Sequence, residues 1–402
     1  VTYPEAIEFL FGLRWHGQKL GLDTMRELLA LLGNPQDKLR FIHIAGTNGK
    51  GSVAAMCHAV LRTAGIRTGL YTSPHLVSFC ERFQIDGQMI SQDRVVQLVE
   101  RLRPLLTQTT TRPPTFFEVV TAIALVYFRE ENVDVVVWET GLGGRLDATN
   151  VVTPLVSVIT NIGFDHMQYL GDTLASIAAE KAGIIKPGIP VVTGSREPEA
   201  LHVIRETAAE QGCRLTEVRE PLDWEIPLAG PHQRWNCAIA VAALQASGLP
   251  VTMEQMREGV RVTRWPGRFQ VVRENPTVIL DGAHNGPAAE VLAAALRERY
   301  AGRPVALILG VLRDKDYATV AGILAPLARW IYCVPVKSER TCDPAELAAR
   351  CSGEVRADLA AAYAEALTLP AGVIVITGSL FLVGEALGLA TPGSSARERA
   401  LQ

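Results

Sequence analysis

No CxxC pair occurs among the seven cysteines (Cys57, Cys80, Cys213, Cys237, Cys333, Cys342 and Cys351), and their number is odd. A disulfide framework and a structural zinc site are therefore not expected, and a reducing cytoplasm is the natural setting. An excess of one charge is also missing. Lys plus Arg total 39 against 42 Asp plus Glu, so the chain has no general attraction for nucleic acid or an anionic membrane. A local basic pocket for an anionic ligand stays open. Long apolar runs are absent too: "GVIVITGSLFLVG" is too short to cross a bilayer. The start, "VTYPEAIEFLFGLRWHG", lacks the basic, apolar, small-residue order of a signal peptide. No internal repeat is visible. The partners to expect are small molecules, with no nucleic acid and no membrane, bound by a monomer.

What remains is 402 residues that are 48% hydrophobic and 20% charged, the balance of a globular enzyme of two or three domains. The apolar run Phe41–Ala45 ends in glycine and reads as a buried strand. Residues 50–64 read as a helix, with Val53, Met56, Cys57, Val60 and Leu61 on one stripe. Strand "RTGLYTS", a helix from Phe117 to Arg129, strands "VDVVVWE" and "LVSVITN", helix "TLASIAAEKAGII" and strand "PVVTG" follow. This alternation predicts a mostly parallel sheet with helices on both faces. It breaks at "VTRWPGRFQ" (262–270) and then restarts with "TVILD", "PVALILG", "WIYCV" and "GVIVITG" and their intervening helices.

The stretch "FIHIAGTNGKGSV" (41–53) sets strand, glycine-rich turn and helix in the order a phosphate loop requires. Backbone N–H groups at such a turn face an anion. Gly46, Thr47, Asn48, Gly49, Lys50, Gly51 and Ser52 would surround ATP, with Lys50 as the point charge on the β- and γ-phosphates. The spacing departs from GxxxxGK[ST]: Gly51 follows the lysine, and the hydroxyl comes one residue later, at Ser52. Glu139 closes the strand "VDVVVWE", at the carboxyl end where open α/β sheets bind ligands. A carboxylate there suits Mg²⁺ beside phosphate. The expected fold is therefore α/β: an N-terminal P-loop ATPase domain with a mostly parallel sheet (1–264), plus a smaller C-terminal Rossmann-like α/β domain (265–390) and a flexible tail (391–402).

"GTNGKGS" resembles the loop of the Mur ligase superfamily, in the form found in its folylpolyglutamate synthase and dihydrofolate synthase branch. "TSPHLVSFCERFQIDG", "ETGLGGRLDATN", "ITNIGFDHMQYLG", "EKAGIIKPGIPVV", "GPHQRWNCAIA", "WPGRF", "DGAHN" and "TGSL" resemble the same family in the same order, between residues 46 and 380. One departure is Gly286, where the family usually has proline after the Asn. The resemblance implies an ATP-dependent ligase that joins L-glutamate to dihydropteroate or to tetrahydrofolate polyglutamates through an acyl phosphate. It implies two Mg²⁺ sites drawing on Ser52, Glu139, His166 and Lys181, with Lys181 carbamylated. By composition alone His166 reads as structural and Lys181 as a solvated helical face. Lys50, His166 and Lys181 would carry catalysis. Asn236 would face adenine, Arg268 phosphate and Asp281 the ribose, while His284 and Ser379 would lie near glutamate. Arg82, Phe117 and Asp147 would hold the pterin end under a mobile loop, "SPHLVSFCERF"; a Phe at a helix start also commonly packs in a core. Two alternatives stand beside this reading. Another Mur-type amide ligase with a UDP-sugar acceptor is disfavoured by the 45 residues preceding Gly46. A P-loop regulatory ATPase would bind partners and form no bond.

Overall fold

The structure is a computed structural model that describes residues 1–13 and 21–390. The expected tail 391–402 lies outside the described residues. Two sheets organise the chain. The first runs in the order Gln88–Met89, Phe83–Ile85, Thr68–Tyr71, Val135–Glu139, Phe41–Ala45, Val156–Ile159, Val191–Thr193, Leu215–Glu217. Its six strands from Thr68–Tyr71 onward are parallel, and the 83–89 hairpin adds an antiparallel edge. The second runs Glu354–Val355, Trp330–Cys333, Val305–Leu309, Val373–Thr377, Thr277–Leu280, Gln270–Glu274. It is parallel except for Gln270–Glu274, which the alternation of apolar runs did not announce because its residues are half exposed.

The central strands are buried along their whole length, as parallel strands covered on both faces must be. Their Val and Ile side chains meet two apolar layers. One joins Phe41, Tyr71 and Trp138 to helix Phe116–Glu130. The other joins Ile42, Val137 and Val158 to helices Lys50–Thr63 and His232–Ala246. Helix Phe116–Glu130 starts one residue before Phe117, because Thr115 caps it and Glu118 closes the capping box. Two further layers cover the second sheet. One of them includes Leu76, reaching across from the loop after Thr68–Tyr71 to Leu280, Phe381 and Val383. Among the described residues no helix is long and apolar enough to cross a membrane.

Candidate active site

Lys50 opens the helix Lys50–Thr63, and Gly49 before it takes φ +84°, a left-handed conformation that glycine adopts without strain. A side chain at Gly49 would also meet Asn236, whose Oδ1 would stand 2.6 Å from its Cβ. The turn is pinned from the neighbouring strand end. Asn48 N donates to Asn161 Oδ1 (2.8 Å), Thr160 Oγ1 donates to Asn48 O (2.6 Å), and Thr47 Oγ1 donates to Gly163 O (3.1 Å). Lys50 Nζ folds back onto Gly46 O (3.0 Å) and Thr47 O (3.4 Å). Lys181 Nζ donates to the same Gly46 carbonyl at 3.0 Å. A part-buried amine and a buried one thus share one oxygen. Burial, with Lys50 second, pulls the Lys181 amine down to about 7, and burial likewise lowers Lys50, against the pull of Glu139.

Glu139 is buried and accepts from Ser73 N at 3.0 Å. Burial raises its carboxyl above the usual range, and Lys50 opposes the rise. Ser52 Oγ accepts from Gln233 Nε2 (3.4 Å), and Gln233 Oε1 accepts from Asn236 Nδ2 (3.0 Å). Gln233 therefore ties Asn236 to the phosphate loop, a link 181 residues long that no local pattern signals. Among the described residues no three His, Cys, Asp or Glu side chains gather into a metal cage. The donor set around Glu139 nonetheless suits a hard cation, since Mg²⁺ binds one or two carboxylates and takes its other oxygens from phosphate and water.

His166 stands in the left-handed region (φ 51°) at the start of a short helix. Its Nε2 accepts from Lys315 Nζ at 2.9 Å, and burial draws it down to about 3, so the ring is neutral. Lys315 also donates to Asp165 Oδ1 at 2.7 Å, and Asn285 Nδ2 donates to Asp165 Oδ2 at 3.0 Å. Burial alone would raise Asp165; hydrogen bonding from His284 and the Lys315 charge outweigh it and hold the carboxyl well below the usual range. Asn285 also bonds Asn48 at 3.2 Å. These contacts bind the two sheet units across the crevice. Sequence reasoning missed Asp165 and Lys315; an Asp beside the candidate His166 was the one available signal.

On the far side, Asp281 accepts from Phe269 N (2.8 Å) and Ala283 N (2.9 Å). Burial raises it, opposed first by Arg268. His284 Nδ1 pairs with Gly282 O at 2.8 Å, and Ser379 Oγ accepts from Phe381 N at 3.1 Å, capping the last helix. The Thr377 hydroxyl reaches Ala283 O (3.4 Å), setting the "DGAHN" and "TGSL" loops side by side.

Arg82, Phe117 and Asp147 lie around Tyr71. Arg82 is fully buried, donates from Nε to His75 Nδ1 (3.0 Å) and lies over the Phe79 and Phe116 rings at 5.8 and 5.5 Å. Burial draws its guanidinium down to about 10. Phe117 is partly buried, lies 6.3 Å from the Tyr71 ring and covers Gly141. The Asp147 carboxylate meets four donors of its own loop: Gly141 N and Leu142 N on one oxygen, Thr149 N and Thr149 Oγ1 on the other. It therefore shapes the "GLGGRLDATN" turn. The loop at 73–82 is tied by Glu81, which accepts from Leu76 N, Val77 N and Ser78 N at 2.7, 2.8 and 2.7 Å.

Comparison with known proteins matches residues 44–218 to the Mur ligase middle domain and residues 267–380 to the Mur ligase, glutamate ligase domain. The dihydrofolate synthase/folylpolyglutamate synthase of Bacillus subtilis is 37% identical over 96% of this chain and 98% of that protein. The chain belongs to this family of Mur ligases. It is accordingly an ATP-dependent ligase that forms a carbon–nitrogen bond to glutamate. Two solved members superpose on nearly the full chain. Escherichia coli FolC in complex with DHPP and ADP has a TM-score of 0.88 and 32% identity over 97% of both chains. The bifunctional folylpolyglutamate synthase/dihydrofolate synthase of Yersinia pestis, complexed with AMPPNP and Mn ion, has a TM-score of 0.88 and 32% identity over 97% of this chain and 98% of that one.

Proposed function

We propose that this enzyme adds L-glutamate both to dihydropteroate and to the glutamate tail of tetrahydrofolate. The observation that carries the reading is the crowding of Lys50 and Lys181 on the Gly46 carbonyl, beside buried Glu139 and opposite a second domain already hydrogen-bonded to the loop through Asn48 and Asn285. Burial disfavours the charged form of both amines, and an anion bound between them would restore it.

In the first step an acceptor carboxylate oxygen attacks the γ-phosphorus of ATP, forming an acyl phosphate as the bond to ADP breaks. In the second, the glutamate amine attacks the acyl carbon, the bond to phosphate breaks, and the amine loses a proton. Lys50 leaves its backbone carbonyls for the transferred phosphoryl group and, with the loop N–H groups, stabilises its charge. Mg²⁺, when bound at two sites drawing on Ser52, Glu139, His166 and Lys181, supplies further positive charge on the phosphate oxygens. Lys181 would contribute as its carbamate; an amine drawn down to about 7 has a substantial unprotonated fraction near neutrality, the form that adds to carbon dioxide.

Asn236 faces adenine in this reading, Asp281 the ribose and Arg268 the phosphates, and His284 and Ser379 receive glutamate. Arg82 and Phe117 hold the acceptor, with Asp147 fixing the turn against which the pterin lies. The ATP- and folate-binding domain spans 1–264 and the glutamate-binding domain 265–390. The enzyme works as a cytoplasmic monomer; all seven cysteines are free thiols. The deciding experiment is ATP turnover with glutamate plus either dihydropteroate or tetrahydrofolate. Turnover of tetrahydrofolate but never of dihydropteroate would remove the bifunctional claim. Glutamate-independent ATP turnover with no product amide would return the chain to a regulatory ATPase.

A further inference from the structure

Trp265 lies in the linker between the two sheets, and its indole bears on the phosphate loop. A Cβ built on Gly51 would stand 2.8 Å from Trp265 Nε1 and 3.2 Å from Cε2 and Cζ2. Carbon atoms do not approach a ring that closely, so the indole fills the space that a side chain after Lys50 would take. The usual phosphate loop carries its hydroxyl residue there. In this chain the hydroxyl is displaced to Ser52, where it accepts from Gln233.

The linker around Trp265 is fastened on both sides. Thr263 Oγ1 donates to Gly259 O at 2.9 Å, on helix Met253–Arg261 of the first unit. Gly267 O accepts from Gly282 N at 3.0 Å, and Phe269 N donates to Asp281 Oδ2, both in the second unit. Between these ties Trp265 packs on the apolar layer that contains Val53 and Met56, the first turns of the phosphate-loop helix. A swing of the second unit about this linker therefore moves the indole against the residue next to Lys50.

We propose that Trp265 is a positioning residue for phosphoryl transfer: it presses on Gly51 and so couples the attitude of the loop that carries Lys50 to the position of the second domain. This rests on the reading of residues 46–52 as the ATP site.

Gly51→Ala is a sharp probe. Gly51 is helical and has no positive φ, and in a helix alanine is favoured over glycine. A loss on this substitution is therefore not a backbone effect, and the Trp265 background separates the indole from a meeting of the new Cβ with ATP. The measurement is steady-state kinetics on wild type, Gly51→Ala, Trp265→Ala and the double variant, with unfolding curves to establish that each is folded. Gly51→Ala should raise the KM for ATP about tenfold or more while the KM for glutamate moves by less than about twofold. In the Trp265→Ala background, where the indole is gone, the same substitution should cost less than about twofold. An equal cost in both backgrounds overturns the proposal. Should Trp265→Ala not fold, Trp265→Phe serves in its place, since it removes the indole Nε1, the atom nearest Gly51. Comparing wild type with Trp265→Phe should show an emission change on binding a non-hydrolysable ATP analogue that belongs to Trp265; its absence counts against the coupling. Lys50→Ala separates the two claims. If that variant turns over ATP at the wild-type rate, the ATP-site reading fails; if it is inactive while the Gly51 cost is unaltered by Trp265, only the coupling fails.

Discussion

Replacing Lys315 by methionine should loosen the contact between the two domains. The Lys315 ammonium donates to Asp165 Oδ1 at 2.7 Å and to His166 Nε2 at 2.9 Å, and the two charged side chains are only 4% and 10% exposed. Removing the cation leaves a buried carboxylate held by Asn285 Nδ2 (3.0 Å) and the His166 backbone N–H (2.9 Å), with His284 beside it. Truncating one partner of a buried, hydrogen-bonded charge pair costs about 2–5 kcal/mol, mostly through the charge left behind. Lys315 comes from the second unit and Asp165 from the first, so this cost falls on the closed arrangement and not on either domain alone. At about 1.4 kcal/mol per decade, the balance should shift toward open forms by roughly thirtyfold or more. Solution scattering should then give a larger radius of gyration for Lys315→Met than for wild type without ligand, with compaction restored by an ATP analogue plus acceptor. Asp165→Asn in the same chain removes the stranded charge and should recover part of the loss. Asp165 is held well below the usual carboxylate range. A carboxyl with a depressed folded pKa contributes its full stabilisation above its unfolded value, ~4, and loses it progressively as pH falls from there toward the folded one, so the contact should weaken only below ~4. An unchanged radius, unchanged unfolding and unchanged kcat/KM for glutamate in Lys315→Met would refute the reasoning.

Lys50→Ala should lower turnover by several orders of magnitude while circular dichroism stays native; near-normal rates would end the nucleotide assignment. Lys181 should carry a carbamate, visible as extra density on Nζ in crystals grown with bicarbonate, Mg²⁺ and ATP analogue, and a bare amine there would count against it. His43 and His58 are buried and held neutral by burial, at about 3 and about 4. Below ~6.5 the unfolded chain binds protons that these folded sites refuse, so stability should fall as pH drops from ~6.5 toward ~4, by about 1.4 kcal/mol per pH unit for each histidine. Urea unfolding at the two ends of that window, for wild type and His43→Gln, checks it; a flat profile would show that the rings charge without penalty. Asp147→Ala strips the acceptor from four loop donors and should cost about 2–4 kcal/mol of stability. It should also weaken dihydropteroate use about tenfold and tetrahydrofolate extension less, and an equal loss on both substrates would confine Asp147 to shaping the loop.

The strand–turn–helix at 41–63 is legible because each of its signals is local: a buried apolar run, glycines where the backbone must turn, and a helical stripe. The same holds for the two α/β units and for the carboxylates that close Val135–Glu139 and Thr277–Leu280, since a strand end is found by its own apolar run. The half-exposed edge strand Gln270–Glu274 escaped because it lacks such a run. The partners of the site were not legible. Lys315 meets Asp165 across 150 positions, Gln233 reaches Ser52 across 181, and Trp265 comes to rest on Gly51. Periodicity carries no information about pairings at that range, which are set by how helices and loops pack once the sheets have formed. Asp147 shows the other limit. The family resemblance implied a carboxylate on the pterin, and the folded turn also supplies it with four donors of its own. Sequence alone determined which elements form and which side chains stand at their ends; tertiary packing decided what those side chains touch, because burial and hydrogen-bond demand are settled only when distant segments close around them.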